Sequence, residues 1–370
     1  MKVIISGGGT GGHIFPAISI AGALREKDPG CDILFVGAEG KMEMERVPAA
    51  GYPIIGLPVA GLKRSLSLSN LVLPFKVLKS IRKARKIIRE FRPDIAVGVG
   101  GYASAPILWV AQRLSVPTLI QEQNSYAGLT NRLTGRKADR ICVAYEGMER
   151  FFPKDRLVMT GNPVRNNIRR PTSGEKAEAL KHYSFDPEKK TILVLGGSLG
   201  CATLNNTMKK WIADGQPGGE GIQILWQCGK GYYEGVKSFM ETASCKDVVY
   251  SGFIDRMDYA YAAADLIISR SGAGTISELC VAGKAVIFVP SPNVTEDHQT
   301  HNAMALVEKG AAGIVKDSEA METLMGYATA LVKDEATVRT LENNISALAR
   351  PDAASAIAEE IFSVCKNRIL

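Results

Sequence analysis

The chain reads as an α/β protein made of two doubly wound parallel-sheet domains. Three observations predict this. Short apolar runs alternate with helical patterns, the rhythm halts once over the polar stretch Arg165 to Lys190 and restarts, and each half opens with an apolar run followed by a glycine-rich turn. The turns are Ser6-Gly7-Gly8-Gly9-Thr10-Gly11-Gly12-His13 and Gly196-Gly197-Ser198-Leu199-Gly200. A turn of this kind brings bare backbone close to a ligand and opens a helix whose unpaired N–H groups and dipole favour negative charge. Two nucleotide-binding-type halves facing one cleft are therefore expected. A length of 370 residues exceeds what one core usually spans.

In the first domain, set at 1–163, the predicted strands are Val3–Ile5, Ile33–Val36, Ile54–Leu57, Ile95–Val99, Thr118–Gln121, Ile141–Val143 and Leu157–Met159. Gly161-Asn162-Pro163-Val164-Arg165 breaks the pattern and reads as a hinge. In the second domain, 164–346, the strands are Ile192–Leu195, Ile222–Trp226, Asp247–Tyr250, Leu266–Ser269, Ala285–Val289 and Gly313–Val315. Arg350-Pro351-Asp352 opens a last helix, within 347–370, with Ile357, Ile361 and Val364 on one face. That helix is expected to pack back on the first domain.

With 46% apolar and 22% charged residues the composition is that of a globular protein, and no run reaches the roughly 18 apolar residues of a membrane span. Met1 leads straight into the first strand, so a cytoplasmic protein is expected. The seven cysteines are scattered, with no CxxC pair, which argues against a disulfide framework or a zinc site. The net charge of +7 is concentrated: ten Lys or Arg and one acid, Glu90, lie between Lys63 and Arg92. In this segment Val77 or Leu78, Ile81, Ala84, Ile88 and Phe91 form a helical stripe for the core. Leu71, Val72 and Phe75 exceed that stripe, and with Lys76, Lys79, Arg82 and Lys83 they suit an anionic bilayer surface. A solvated face is the bland alternative. Nucleic acid is disfavoured because stacking aromatics are sparse.

The first turn satisfies GxGxxG, so a dinucleotide site has to be weighed; the acid expected about 20 residues on is wanting, Glu39 being late. It also resembles a P-loop in which His13 replaces the lysine, or serves packing alone. A helix N-terminus helps keep the His13 ring neutral and able to accept a proton. The second turn matches GxSxG, a nucleophile elbow, with Asp265 and His298 or His301 as nominal partners. Arg270-Ser271-Gly272-Ala273-Gly274-Thr275-Ile276-Ser277-Glu278 opens another helix, suited to a diphosphate, with Glu278 placed for a ribose diol. Asp297-His298-Gln299-Thr300-His301-Asn302 follows the strand Ala285–Val289; its polar side chains favour sugar hydrogen bonding over a metal, and the chain has no Asp-x-Asp.

Taken in order, Gly7 to His13, Gly100-Gly101-Tyr102, Glu122-Gln123-Asn124, Gly161 to Arg165, Gly196-Gly197-Ser198, Ser271 to Thr275 with Glu278, and Asp297-His298-Gln299 resemble the GT-B glycosyltransferases. Within these, the chain is most similar to the N-acetylglucosaminyltransferases that convert lipid I to lipid II in peptidoglycan synthesis. The resemblance implies two Rossmann-like domains and metal-independent, inverting transfer from UDP-GlcNAc without a cofactor. It puts the uracil near the Phe253-Ile254 backbone, the ribose on Glu278, and the diphosphate on Ser198 and the Ala273-Gly274-Thr275 helix start. Gln299 and Asn124 would read the sugar, and Thr10, Gly11, Gly12 and Arg165 fall at ligand positions. The acceptor, MurNAc-pentapeptide on undecaprenyl diphosphate, would bring its diphosphate to the Gly8-to-Gly12 and Gly100-Gly101 turns, with His13 as candidate base for its 4-hydroxyl. Hinge closure would expel water. The same resemblance implies a peripheral place on the cytoplasmic face of the membrane and leaves cell-wall synthesis proteins as candidate partners. Cys201, where alanine is expected, and His298, where some relatives carry glutamine, depart from the pattern. A GT-B sugar-nucleotide epimerase would need neither lipid acceptor nor membrane patch.

Overall fold

The computed structural model describes residues 1–59, 73–197, 199–243, 245 and 247–366. They form two compact units, one drawn from 1–164 with 352–366 and one from 165–351. In the first, strands β1 (Lys2–Ser6), β2 (Asp32–Ala38), β3 (Ile54–Leu57), β4 (Ile95–Gly98), β5 (Thr118–Glu122), β6 (Arg140–Val143) and β7 (Leu157–Met159) make a parallel sheet of order β3-β2-β1-β4-β5-β6-β7. Helices α1 (Gly11–Lys27), α2 (Glu43–Ala49), α3 (Leu73–Phe91), α4 (Ser104–Arg113) and α5 (Leu129–Gly135) are the connections. The order reverses at β1 and β4. At such a switch the loops leaving the two strands diverge and open a crevice at their carboxyl ends.

Alternation along β1 divides its side chains between two cores. Val3 and Ile5 join Ile33, Phe35, Ile95 and Val97 on one face, against Ile14, Ile20 and Leu24 of α1. Ile4 joins Leu34, Val36, Ala96 and Ile120 on the other, against Ala84, Ile87 and Ile88 of α3 and Ile107 and Leu108 of α4. Burial on both faces is why these strands read as apolar runs. The α3 stripe differs from expectation: Val77 and Leu78 are both exposed, and Ile87 takes a core place instead.

The second unit holds β8 (Lys190–Leu195), β9 (Ile222–Gln227), β10 (Val248–Ser251), β11 (Leu266–Ser269), β12 (Val286–Phe288) and β13 (Gly313–Ile314), in the order β10-β9-β8-β11-β12-β13. Its helices are α6 (Ser173–His182), α7 (Ala202–Ala213), α8 (Tyr233–Thr242), α9 (Met257–Ala263), α10 (Ala273–Ala282), α11 (His298–Val307), α12 (Ala320–Leu331) and α13 (Glu335–Ala347). The switch here falls at β8 and β11. Trp226, fully buried, donates from Nε1 to Asn205 Oδ1 at 3.0 Å, and Asn205 in turn donates to the Cys228 carbonyl at 2.9 Å, so α7 is keyed to the end of β9. The last helix, α14 (Ala353–Lys366), belongs to the first unit, where Ile357, Ile361 and Val364 enter the α1 core. All seven cysteines are free and five are buried. Burial pushes the Cys142 and Cys280 thiols up to about 12, as expected of inert core residues.

Lys284, just ahead of β12, is buried and donates from Nζ to the Ala264 carbonyl at 2.7 Å. Burial pushes its ammonium down to about 8 from 10.5. Between these values the unfolded chain keeps a proton that the folded chain releases, so this group raises stability as pH climbs through that window. In urea titrations, the wild-type unfolding free energy minus that of Lys284→Met should increase from pH 8 upward by at most about 1.4 kcal/mol per pH unit. A flat difference contradicts the assignment.

Candidate functional site

In the first unit the β1–α1 turn lies against the β4–α4 turn with backbone on backbone. A Cβ on Gly101, whose φ is +82°, would fall 2.3 Å from the Gly8 carbonyl oxygen. Only glycine fits there. On its other side Gly8 meets a buried carboxylate: a Cβ would lie 2.0 Å from Glu43 Oε1. Glu43 is 1% exposed and accepts from Gly9 N at 3.0 Å and Ala38 N at 2.9 Å. The Gly9 amide is thus occupied by a protein carboxylate, which disfavours a dinucleotide pyrophosphate and narrows the expected anion position to the start of α1. There the Gly11 and Gly12 amides have no intrahelical acceptor, and Thr10 is the N-cap residue. Glu39 lies at the surface and pairs with Lys83 at 2.8 Å.

His13 Nδ1 lies 3.2 Å from the Gly8 carbonyl oxygen and 3.2 Å from Thr10 Oγ1. A carbonyl can only accept, so in the neutral tautomer that bonds Gly8 the hydrogen is on Nδ1 and the lone pair on Nε2; a bond donated by Thr10 Oγ1 would reverse these roles. Nε2 faces the β4–α4 turn, 2.9 Å from where a Gly100 Cβ would sit.

At the end of β5 a chain of buried amides fixes the neighbouring loops. Asn162 Oδ1 accepts from Gln121 Nε2 at 2.8 Å, Gln121 Oε1 accepts from Gln123 Nε2 at 2.8 Å, and Gln123 also donates to the Val99 carbonyl. Glu122, 2% exposed, accepts from Asn124 N, Asn124 Nδ2, Gly128 N and Asn131 Nδ2. Asn124 is therefore seated on Glu122.

In the second unit the same device recurs at the ends of β8 and β9. A Cβ on Gly200 would meet the Cys228 carbonyl at 2.3 Å, and one on Gly229 the Gly200 Cα at 2.3 Å. Ser198 lies outside the described residues. Cys201 is the N-cap of α7, its Sγ accepting from Leu204 N at 3.4 Å, so sulfur serves where alanine was expected. The hydrolase triad is excluded by position: Asp265 precedes β11 and binds Lys176 and Thr191 N, at the opposite end of the parallel sheet from the 196–200 turn.

Gly272 caps α10 without a side-chain bond, leaving the Ala273, Gly274 and Thr275 amides as the open helix start. One turn on, Glu278 is 7% exposed, pairs with Arg165 Nε at 2.9 Å and accepts from Tyr261 at 3.0 Å. Burial raises its pKa, and Arg165 and Tyr261 oppose that rise. Gln299 Oε1 accepts from Ser291 N at 2.9 Å, and its carbonyl accepts from Ser271 Oγ at 2.8 Å. With Oε1 engaged, Gln299 presents its NH₂ as donor. Ile254 is buried beside half-exposed Phe253, whose backbone is tied to Ser251 Oγ. His298 Nε2 lies 3.8 Å from Glu296. Among the described residues no three His, Cys, Asp or Glu side chains gather into a metal-ligating group. Glu43 and Tyr261 escaped sequence reasoning; Glu43 had the faint signal of an acid shortly after the second strand, and Tyr261 had none.

Two parallel Rossmann-like sheets, each with a glycine turn at its switch point, define the GT-B fold class, and the family matches decide between its members. The Glycosyltransferase family 28 N-terminal domain matches residues 3–143 and the Glycosyltransferase family 28 C-terminal domain matches 191–359. A transferase from Bacteroides thetaiotaomicron is 54% identical, covering 99% of this chain and 98% of its own, and one from Parabacteroides distasonis is 56% identical, covering 88% and 87%. The crystal structure of Acinetobacter baumannii MurG is 28% identical, with a TM-score of 0.79 over 98% of this chain and 99% of that one. The chain belongs to the family of UDP-N-acetylglucosamine--N-acetylmuramyl-(pentapeptide) pyrophosphoryl-undecaprenol N-acetylglucosamine transferases.

Glu43→Gln keeps the shape but puts an NH₂ against one of the amides it serves, so it should lower the unfolding free energy by about 1–3 kcal/mol in denaturant titrations. A loss below about 0.5 kcal/mol, the range of ordinary surface changes, contradicts the role given to this carboxylate.

Proposed function

We propose that the chain transfers GlcNAc from UDP-GlcNAc to the 4-hydroxyl of MurNAc-pentapeptide on undecaprenyl diphosphate, inverting the anomeric carbon. The observation that carries the reading is α10, which joins an open N-terminus to a buried carboxylate within about two turns. At about 1.5 Å rise per residue, a diphosphate at 273–275 and a ribose at Glu278 fit one nucleotide. Relatives more than 50% identical over most of the chain bear the name of this transferase.

In this reading Ser198 and the amides of Ala273, Gly274 and Thr275 take the UDP diphosphate, whose charge grows as the sugar leaves. The uracil meets the Ile254 backbone. The Gln299 NH₂ donates to a sugar hydroxyl, with Asn124 as a second reader. Arg165 pairs with Glu278, and its guanidinium turns to the diphosphate when the ribose takes the carboxylate. His13, with Nδ1–H fixed on the Gly8 carbonyl, accepts the acceptor's hydroxyl proton at Nε2. The acceptor diphosphate takes the Gly11 and Gly12 amides and the Thr10 hydroxyl. No metal enters the scheme.

The same reading places the enzyme on the cytoplasmic face of the membrane. No described helix is long and apolar enough to cross a bilayer. The start of α3 instead exposes Phe75, Val77 and Leu78 beside exposed Lys76, Lys79 and Arg82. Lys83 serves less, being paired with Glu39; Leu71 and Val72 lie outside the described residues.

With a lipid I analogue and EDTA present, UDP-GlcNAc should still yield product. His13→Ala should lower kcat by about 100-fold or more while UDP binding stays within about threefold, read by stopped assay and calorimetry. Equal turnover removes His13 from the chemistry. In vesicle sedimentation, Lys76→Gln with Lys79→Gln should weaken binding to anionic bilayers by about tenfold or more, at about 1 kcal/mol per cation. Unchanged partition removes α3 from the membrane contact.

A further inference from the structure

Glu278 has two side-chain partners in its own unit, and they differ in kind. Tyr261 reaches it from α9 with its hydroxyl donating to Oε2 at 3.0 Å, and this residue is 2% exposed. Arg165 covers Oε1 at 2.9 Å with a side chain that is 54% exposed, against 10% for the Glu278 side chain. The phenol cannot leave without disturbing the α9 core. The guanidinium can swing into solvent.

We propose that Tyr261 is a positioning residue that fixes the Glu278 carboxylate for a vicinal diol, and so sets a preference for a ribonucleoside diphosphate donor over its 2′-deoxy counterpart, with Arg165 as the partner the diol replaces. The inference rests on reading Glu278 as the ribose acceptor. A carboxylate offers about four lone-pair sites, and its terminal torsion is soft. One bond from Tyr261 to Oε2 fixes that torsion and directs the remaining acceptor sites to the side Arg165 now covers. A 2′,3′-diol satisfies two of them. A 2′-deoxyribose leaves one buried acceptor unpaired, the situation in which a polar site rejects a ligand most strongly. Burial raises the Tyr261 phenol well above its ordinary range, so it stays a neutral donor.

The test compares UDP-GlcNAc with its 2′-deoxyuridine analogue, at saturating lipid I analogue, in wild type, Tyr261→Phe and Glu278→Gln. Wild type should prefer the ribonucleotide by about tenfold or more in kcat/KM, and absence of a preference overturns the proposal without any variant. Tyr261→Phe keeps the buried ring, and thermal unfolding checks its fold. It should raise KM for UDP-GlcNAc about fivefold, keep kcat within about twofold and cut the preference about fivefold, the worth of one hydrogen bond. Equal losses with both nucleotides, or a fall in kcat alone, overturn it. If Glu278→Gln abolishes the preference while Tyr261→Phe preserves it, Tyr261 loses its role and Glu278 keeps its own. If Glu278→Gln preserves it, the ribose reading fails and the proposal fails with it.

Discussion

Close backbone approach at the carboxyl ends of the central strands is the constraint on which the rest depends. Gly101 against Gly8 in one sheet, and Gly200 against Gly229 in the other, leave no room for a Cβ. These contacts fix where α1 and α7 begin, and a helix start is useful to an anion only if its amides are held in place. The parallel order, with switch points at β1 and β4 and at β8 and β11, puts the glycine turns where strands diverge. Packing of backbone thus precedes and permits recognition.

Buried carboxylates do the complementary work. Glu43 binds the Gly9 amide of the first turn and the Ala38 amide at the end of β2, and Glu122 gathers the amides of the loop after β5. Both are consumed by the protein itself. Glu278 differs in that one of its two partners, Arg165, is exposed, which in our proposal lets a ribose take its place. A buried charge with one replaceable partner can bind a ligand at modest desolvation cost, since the carboxylate is already out of water.

Much of this was legible in the chain. Apolar runs bounded by glycine gave the strands closely, because a parallel sheet buried on both faces needs no alternation to be read. Gly7 to His13 and Ser271 to Thr275 could be placed on helix starts since glycine-rich turns after strands have few other uses. Less was legible where contacts are long-range. Val77 and Leu78 share the helical spacing of Ile81 and Ala84, yet both are exposed while Ile87 is buried; periodicity alone cannot tell which end of a stripe overhangs its core. Glu43 and Glu39 differ by four positions, and only the fold shows that one enters the turn while the other meets Lys83. Tyr261 sits among alanines in α9 and carries no local mark of its bond to Glu278.

The most direct measurement is a crystal structure of the protein with UDP-GlcNAc. The account predicts the diphosphate on the amides of Ala273 to Thr275, the ribose hydroxyls on Glu278, and the Arg165 guanidinium displaced from that carboxylate. A nucleotide bound elsewhere, with Arg165 still seated on Glu278, would contradict it.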